Sequence, residues 1–294
     1  MKDFSDYAFF KRLGIASFFL IITLFSSCSS TDDPNPNAPL PALELSDNSY
    51  GQDARQVMDI FLPEGRSMES TPVLIYIHGG AWIDGSKDEF QEFRMAFEQA
   101  LPEFALIAIN YRLFDFVTNS NRFPTQENDV ISAVQHVLSN QMNWNISNEI
   151  YLAGASAGGH LALLHAYKHQ EIGNIKAVMA LFPPTDLISL FDFNFLTQTG
   201  LTALLNGTPD SNQDAYLQSS PIYFINPSSP PTQFFHGTVD TVVPISQSDL
   251  LANKLDEEGV SFEYQIIEGQ GHGFTPATYS AIISDIATFI STIN

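Results

Sequence analysis

Cysteine is almost missing from this chain. Its 294 residues include one, Cys28, so no disulfide can close within it. Positive charge is also scarce, with 12 Lys and Arg against 33 Asp and Glu and a net charge of −21. A nucleic-acid partner is therefore excluded, because phosphate attraction needs a clustered cationic face. The acidity reads as a solubility feature. Glycine-rich phosphate loops and metal-ligand spacings are lacking, which leaves no call for a cofactor or a metal. Internal repeats are absent too. Charged residues make up only 15% of the chain, while hydrophobic residues make up 44%. That balance argues against disorder and for a sizeable core.

The N-terminus has no apolar run long enough to span a membrane. Lys2, Lys11 and Arg12 precede "LGIASFFLIITLFSS", an uncharged stretch of 15 residues. A spanning helix needs about 20, and the stretch suits a signal-peptide core. It runs through "FSSC" into the acidic "SSTDD". Residues 1–27 with Cys28 resemble a bacterial lipoprotein signal, with Phe25 where a leucine often stands. The resemblance implies lipidation at Cys28 and export to the cell envelope as an outer-membrane lipoprotein, periplasmic or surface-exposed. Membrane contact would then be through the lipid anchor only. Residues 28–43 include "TDDPNPNAPLPA", rich in Pro, Asn and Asp, and read as an extended tether. Residues 44–294 are left as one domain.

Within that domain, apolar runs of strand length alternate with helix-length segments. Strands are predicted at 57–63, 72–78, 104–111, 148–154, 175–182, 231–237 and 260–269. "PVLIYIH" (72–78) is continuously apolar, as a strand buried on both faces should be. Helices are predicted near 87–101, 125–140, 157–170, 245–258 and 275–292. The alternation predicts an α/β fold, a mostly parallel sheet with helices on both faces. Residues 183–230 interrupt the rhythm, rich in Phe and Leu with no clear strand. A long insertion of this kind is expected to lie over a site as a lid or substrate wall.

"GASAG" (154–158) has the form G-x-S-x-G, follows a predicted strand and opens a predicted helix. That context suits a strained strand-to-helix turn that thrusts Ser156 outward as a nucleophile. A hydroxyl needs a base. Among seven histidines, His136, His165 and His169 fall in helical runs, and His160 shares the serine's own helix. His272 stands in "GQGHGF" directly after the last predicted strand and is the candidate base. Asp240, in "HGTVDTVVP" between serine and histidine, is the candidate orienting acid. Glu268 and Asp186 are its rivals. "HGGAW" (78–82) ends a strand, and its glycines would let backbone approach a carbonyl oxygen. Oxyanion donors are expected from the N–H groups of Gly79 and Gly80, with Ala157 as a third. His78 is expected to brace this loop, and Trp82 is a candidate substrate contact.

Together these motifs resemble the α/β-hydrolase superfamily over about residues 45–294. Within it the chain is similar to the esterase branch holding hormone-sensitive-lipase-like carboxylesterases, kynurenine formamidases and the feruloyl/acetyl-xylan-esterase group. "NYRL" (110–113) followed by "FPTQENDVISAVQHV" (123–137) is similar to the family's fourth strand and next helix. Ala81 stands where the lipase-like branch has a third glycine, which brings "HGGAW" closer to the other two groups. The resemblance implies an eight-stranded α/β-hydrolase sheet with a small lid insertion. It also implies a serine esterase that works through an acyl-enzyme on small-molecule or polysaccharide-borne esters. Two alternatives stay open: an amide or peptide hydrolase of the arylformamidase or dipeptidyl-peptidase-like kind, and a non-catalytic binding module on the same scaffold.

Overall fold

The computed structural model describes residues 38–293. The signal segment, Cys28 and most of the expected tether lie outside the described residues. Eight strands form one sheet: β1 (Leu43–Ser49), β2 (Val57–Leu62), β3 (Val73–Ile77), β4 (Ala105–Ile109), β5 (Glu149–Ala155), β6 (Asn174–Leu181), β7 (Thr232–Gly237) and β8 (Phe262–Ile267). Their spatial order is β1-β2-β4-β3-β5-β6-β7-β8. β1 and β2 run antiparallel to their neighbours, and every pairing from β4 to β8 is parallel.

The helices are α1 (Gln91–Ala100), α2 (Thr125–Ser139), α3 (Gln141–Trp144), α4 (Ala157–Lys168), α5 (Leu187–Phe191), α6 (Phe195–Leu204), α7 (Gln213–Gln218), α8 (Ser246–Glu258) and α9 (Pro276–Ile293). The alternation of side chains along each strand divides the core in two. Val73, Ile75 and Ile77 of β3 face one layer, with Val130 and Val134 of α2, Leu161 of α4 and Leu251 of α8. Leu74 and Tyr76 face the other, with Phe97 of α1 and Ile282, Ile286 and Phe289 of α9. In α9 the buried residues fall at 282, 283, 286, 289 and 290, an apolar stripe at helical spacing. Burying each such side chain stabilises the fold by about 1.5–3 kcal/mol.

One departure from the sequence-based expectations, and the build of the insertion, bear on the site. β1 begins at Leu43 and pairs with β2. Its largely exposed face shows no apolar alternation by which to find it. The insertion at 183–230 holds three short α-helices, α5–α7, and a 3-10 turn at Pro221–Phe224. It is rooted by buried Leu187, Leu190, Leu201, Leu204 and Tyr216, so it packs as part of the domain.

Candidate active site

The sheet's connections reverse direction at β3: the chain moves from β3 to β4 on one side, and β5 then pairs on the other. At such a switch point the loops leaving adjacent strands separate and open a crevice at their C-terminal ends. "HGG" leaves β3 there and "GAS" leaves β5. Ile77 pairs with Gly154, which sets the two loops side by side.

Ser156 stands between β5 and α4 with φ 53° and ψ −121°, a conformation rarely tolerated outside glycine. Its N–H donates to the Leu181 carbonyl at 2.8 Å. The flanking glycines follow from the crowding. A Cβ on Gly154 would lie 2.5 Å from Gly158 backbone, and one on Gly158 would lie 2.0 Å from the Ile77 carbonyl oxygen. The turn places the Ser156 hydroxyl at the N-terminus of α4.

Three side chains distant in sequence meet there. Ser156 Oγ lies 2.9 Å from His272 Nε2, and His272 Nδ1 lies 2.7 Å from Asp240 Oδ2. An ionised carboxylate can only accept, so Nδ1 carries the proton and Nε2 is left to accept from the serine hydroxyl. Asp240 is fully buried at its side chain, whereas His272 is 19% exposed. The Val242 and Val243 N–H groups donate to Asp240 Oδ1. Burial would raise the Asp240 pKa. Hydrogen bonds from His236 and His272 outweigh it and hold the carboxyl well below the usual carboxylate range. Phe182 covers His272, with ring centroids 4.5 Å apart.

His236 stands four residues before Asp240, a spacing that by itself marks no role. It is wholly buried, with Nε2 2.9 Å from the Val243 carbonyl and 3.4 Å from Asp240 Oδ2. The Ser248 hydroxyl lies 2.7 Å from its Nδ1. Of the rival acids, Glu268 is exposed just past β8. Asp186 caps α5 by accepting from the Ile188 N–H.

The loop after β3 is braced from below. His78 stacks on Tyr111 with centroids 4.3 Å apart, and its Nδ1–H donates to the Gly79 carbonyl at 2.8 Å. Burial pushes the His78 pKa down to about 4, so it stays neutral. Gly79 packs against Ser156, where a Cβ would lie 3.5 Å from the serine's own. Its N–H also lowers the pKa of the nearby Glu89 carboxylate. Burial raises that carboxyl, while the Tyr76 hydroxyl and this N–H oppose the rise. The backbone N–H groups of Gly79, Gly80 and Ala157 remain the candidate oxyanion donors. Ala81 takes the left-handed conformation, φ 52°, and lines a cavity with Ser156 and Ala157.

That cavity measures about 440 Å³. Trp82 forms part of its wall and is itself buried. The Trp82 indole donates to His160 Nδ1 at 3.2 Å, and His160 Nε2–H donates to the Ser219 carbonyl at 2.7 Å. His160 thus ties the β3 loop to the insertion and does not reach the serine. The opposite wall comes from the insertion, through Leu190, Leu196, Gly200 and Leu201.

Fold and site together define an α/β-hydrolase: a mostly parallel sheet with a serine elbow, a histidine and a buried aspartate at its C-terminal edge. A profile of the BD-FAE family matches residues 58–255, and the chain belongs to that family. Esterase LipC of Mycobacterium tuberculosis is 26% identical over 244 residues, covering 76% of this chain and 58% of LipC. The chain thus spans little more than half the length of that relative. Among solved structures, a truncated carbohydrate esterase from gut microbiota aligns with TM-score 0.72 and 25% identity over 85% of this chain and 96% of that one. A bifunctional GH43-CE protein of Bacteroides eggerthii aligns with TM-score 0.72 and 26% identity, over 84% of this chain and 38% of that one.

Proposed function

We propose that the protein hydrolyses carboxylic esters, with Ser156, His272 and Asp240 as its catalytic triad. The hydrogen-bonded line from Ser156 Oγ through His272 to Asp240, 2.9 Å and 2.7 Å, carries this reading. Ser156 Oγ attacks the ester carbonyl as its proton passes to His272 Nε2. The N–H groups of Gly79, Gly80 and Ala157 receive the oxyanion, with the positive end of the α4 dipole behind them. The C–O bond to the leaving group breaks, and the departing alkoxide takes the proton from Nε2. Water then gives a proton to His272 and attacks the acyl-serine. The acid is released and the serine recovers its proton. Asp240 keeps the imidazole in the required tautomer and stabilises the imidazolium.

The esters proposed are borne on carbohydrate, with an acetyl or feruloyl acyl group. The carbohydrate esterase from gut microbiota that aligns with this chain supports that class, and we further propose a lipid anchor at Cys28 that would hold the enzyme at the cell envelope. Initial rates on p-nitrophenyl butyrate and labelling by a fluorophosphonate test the triad. The wild type turns over and is labelled, and Ser156→Ala loses both, its rate falling by about 10⁶-fold. Ordinary turnover by Ser156→Ala would end the proposal. For the anchor, incorporation of radiolabelled palmitate by the wild type and not by Cys28→Ser is the expected result. A wild type that takes up no label would rule it out.

A further inference from the structure

We propose that the cavity beside Ser156 is an acyl pocket for groups larger than acetyl, and that Gly200 of α6 sets its depth. The inference rests on the ester-hydrolase reading and assigns a substrate class to that site.

The direction of the pocket follows from the proton's path. The leaving group takes its proton from His272 Nε2, so it must sit on the histidine side. The other substituent of the carbonyl carbon, the acyl chain, points away from it. The cavity holds Ser156 and Ala157 in its lining and no atom of His272. It therefore lies on the acyl side.

Its chemistry is apolar. No charged side chain lines it among the described residues, and Ile83, Phe116, Leu190, Leu201 and Val242 supply most of the wall. The polar residues on α6 are already engaged by the helix. The Asn194 side chain accepts from the Leu196 and Thr197 N–H groups. Thr197 donates to the Asn194 carbonyl at 2.8 Å, and Thr199 to the Phe195 carbonyl at 2.8 Å. A sugar ring entering here would meet a mostly hydrocarbon wall, with the Thr241 hydroxyl and the Asn194 amide among the few polar groups to replace its water, whereas a hydrocarbon chain loses no hydrogen bonds on entry. An acetyl methyl would fill a small part of about 440 Å³. Each further buried methylene is worth roughly a fourfold gain in binding.

Gly200 explains where the room comes from. Leu196, Gly200 and Leu204 recur at four-residue spacing on one face of α6, and all three line the cavity. Leu196 is 78% exposed at the mouth and Leu204 is 2% exposed at the base. A Cβ built on Gly200 meets nothing within 4 Å. Glycine within a helix is unfavourable relative to alanine. Its position in the middle of this stripe leaves open the space that a side chain would occupy.

The test uses p-nitrophenyl acetate, butyrate and hexanoate with the full chain. In the wild type, kcat/KM rises with each added pair of methylenes. In Gly200→Leu the hexanoate-to-acetate ratio of kcat/KM falls at least tenfold, and in Gly200→Ala it falls a few-fold. Phe195→Ala, on the same helix but outside the cavity, leaves that ratio unchanged. Melting curves and fluorophosphonate labelling show which variants are folded, and Gly200→Ala, which a helix favours, serves if leucine is not tolerated. A wild-type rate that is flat or falls from acetate to hexanoate overturns the acyl pocket while leaving the esterase standing. So does a folded Gly200→Leu with an unchanged ratio. A wild type that neither turns over any of the three esters nor accepts the phosphonate overturns the esterase reading itself.

Discussion

Asp240 is held by two backbone N–H groups and faced by two imidazoles, and this environment keeps it ionised. Asparagine would occupy the same volume, but its amide can turn a donor toward Nδ1 and reverse the histidine tautomer. Asp240→Asn is expected to lower kcat about 10⁴-fold with little change in KM, measured by initial rates on p-nitrophenyl butyrate. At this scale the sequence carries the three side chains by their motifs and chain order. It does not carry Glu89 near the Gly79 N–H, nor His236 beneath Asp240. Glu89 comes back to the β3 loop after a turn, whereas His236 stands only four residues before Asp240, a spacing that does not by itself show the turn that brings its ring onto the carboxylate.

At the scale of elements, the elbow between β5 and α4 tolerates little. A methyl group on Gly158 would collide with the Ile77 carbonyl oxygen, which cannot move without disturbing β3. Gly158→Ala is expected to destabilise the domain by about 3 kcal/mol, read from the urea midpoint. Gly200→Ala has open space instead and is expected to gain about 0.5–1 kcal/mol in the same measurement. The buried strands and amphipathic helices were legible because burial on both faces or on one stripe imposes a period on the sequence. β1 was not, since an exposed edge strand imposes none. The helices of the insertion are short, and their clearest signal is the capping box of Asn194 and Thr197. Which of their faces meets the cavity depends on packing against α4 and the β3 loop.

Across the whole molecule, buried histidines govern the response to acid. Burial pushes the pKa values of His78, His160 and His165 down to about 4, against about 6.5 in an unfolded chain. Between those values the unfolded state binds more protons, so stability falls as pH falls. Each histidine contributes on the order of 3 kcal/mol across the full shift. Glu89, raised by burial, acts in the opposite direction, against these three histidines and His136, which burial also lowers. The expected outcome is a urea midpoint that drops steadily from pH 7 to pH 5. In His165→Met, which removes a buried imidazole with an unpartnered Nδ1, the slope is shallower. An equal slope in the two proteins would show that His165 does not titrate in this way.

The sequence alone determined the alternation of strands and helices, the serine elbow and the order of serine, aspartate and histidine. Those features depend on period, glycine placement and local turn chemistry, all of which act between near neighbours. The tertiary structure decided that His272 meets both Ser156 and Asp240, and that the insertion walls an apolar cavity lined by Gly200. Each of these depends on the distance between segments far apart in the chain, a quantity that exists only once the sheet has brought their ends together.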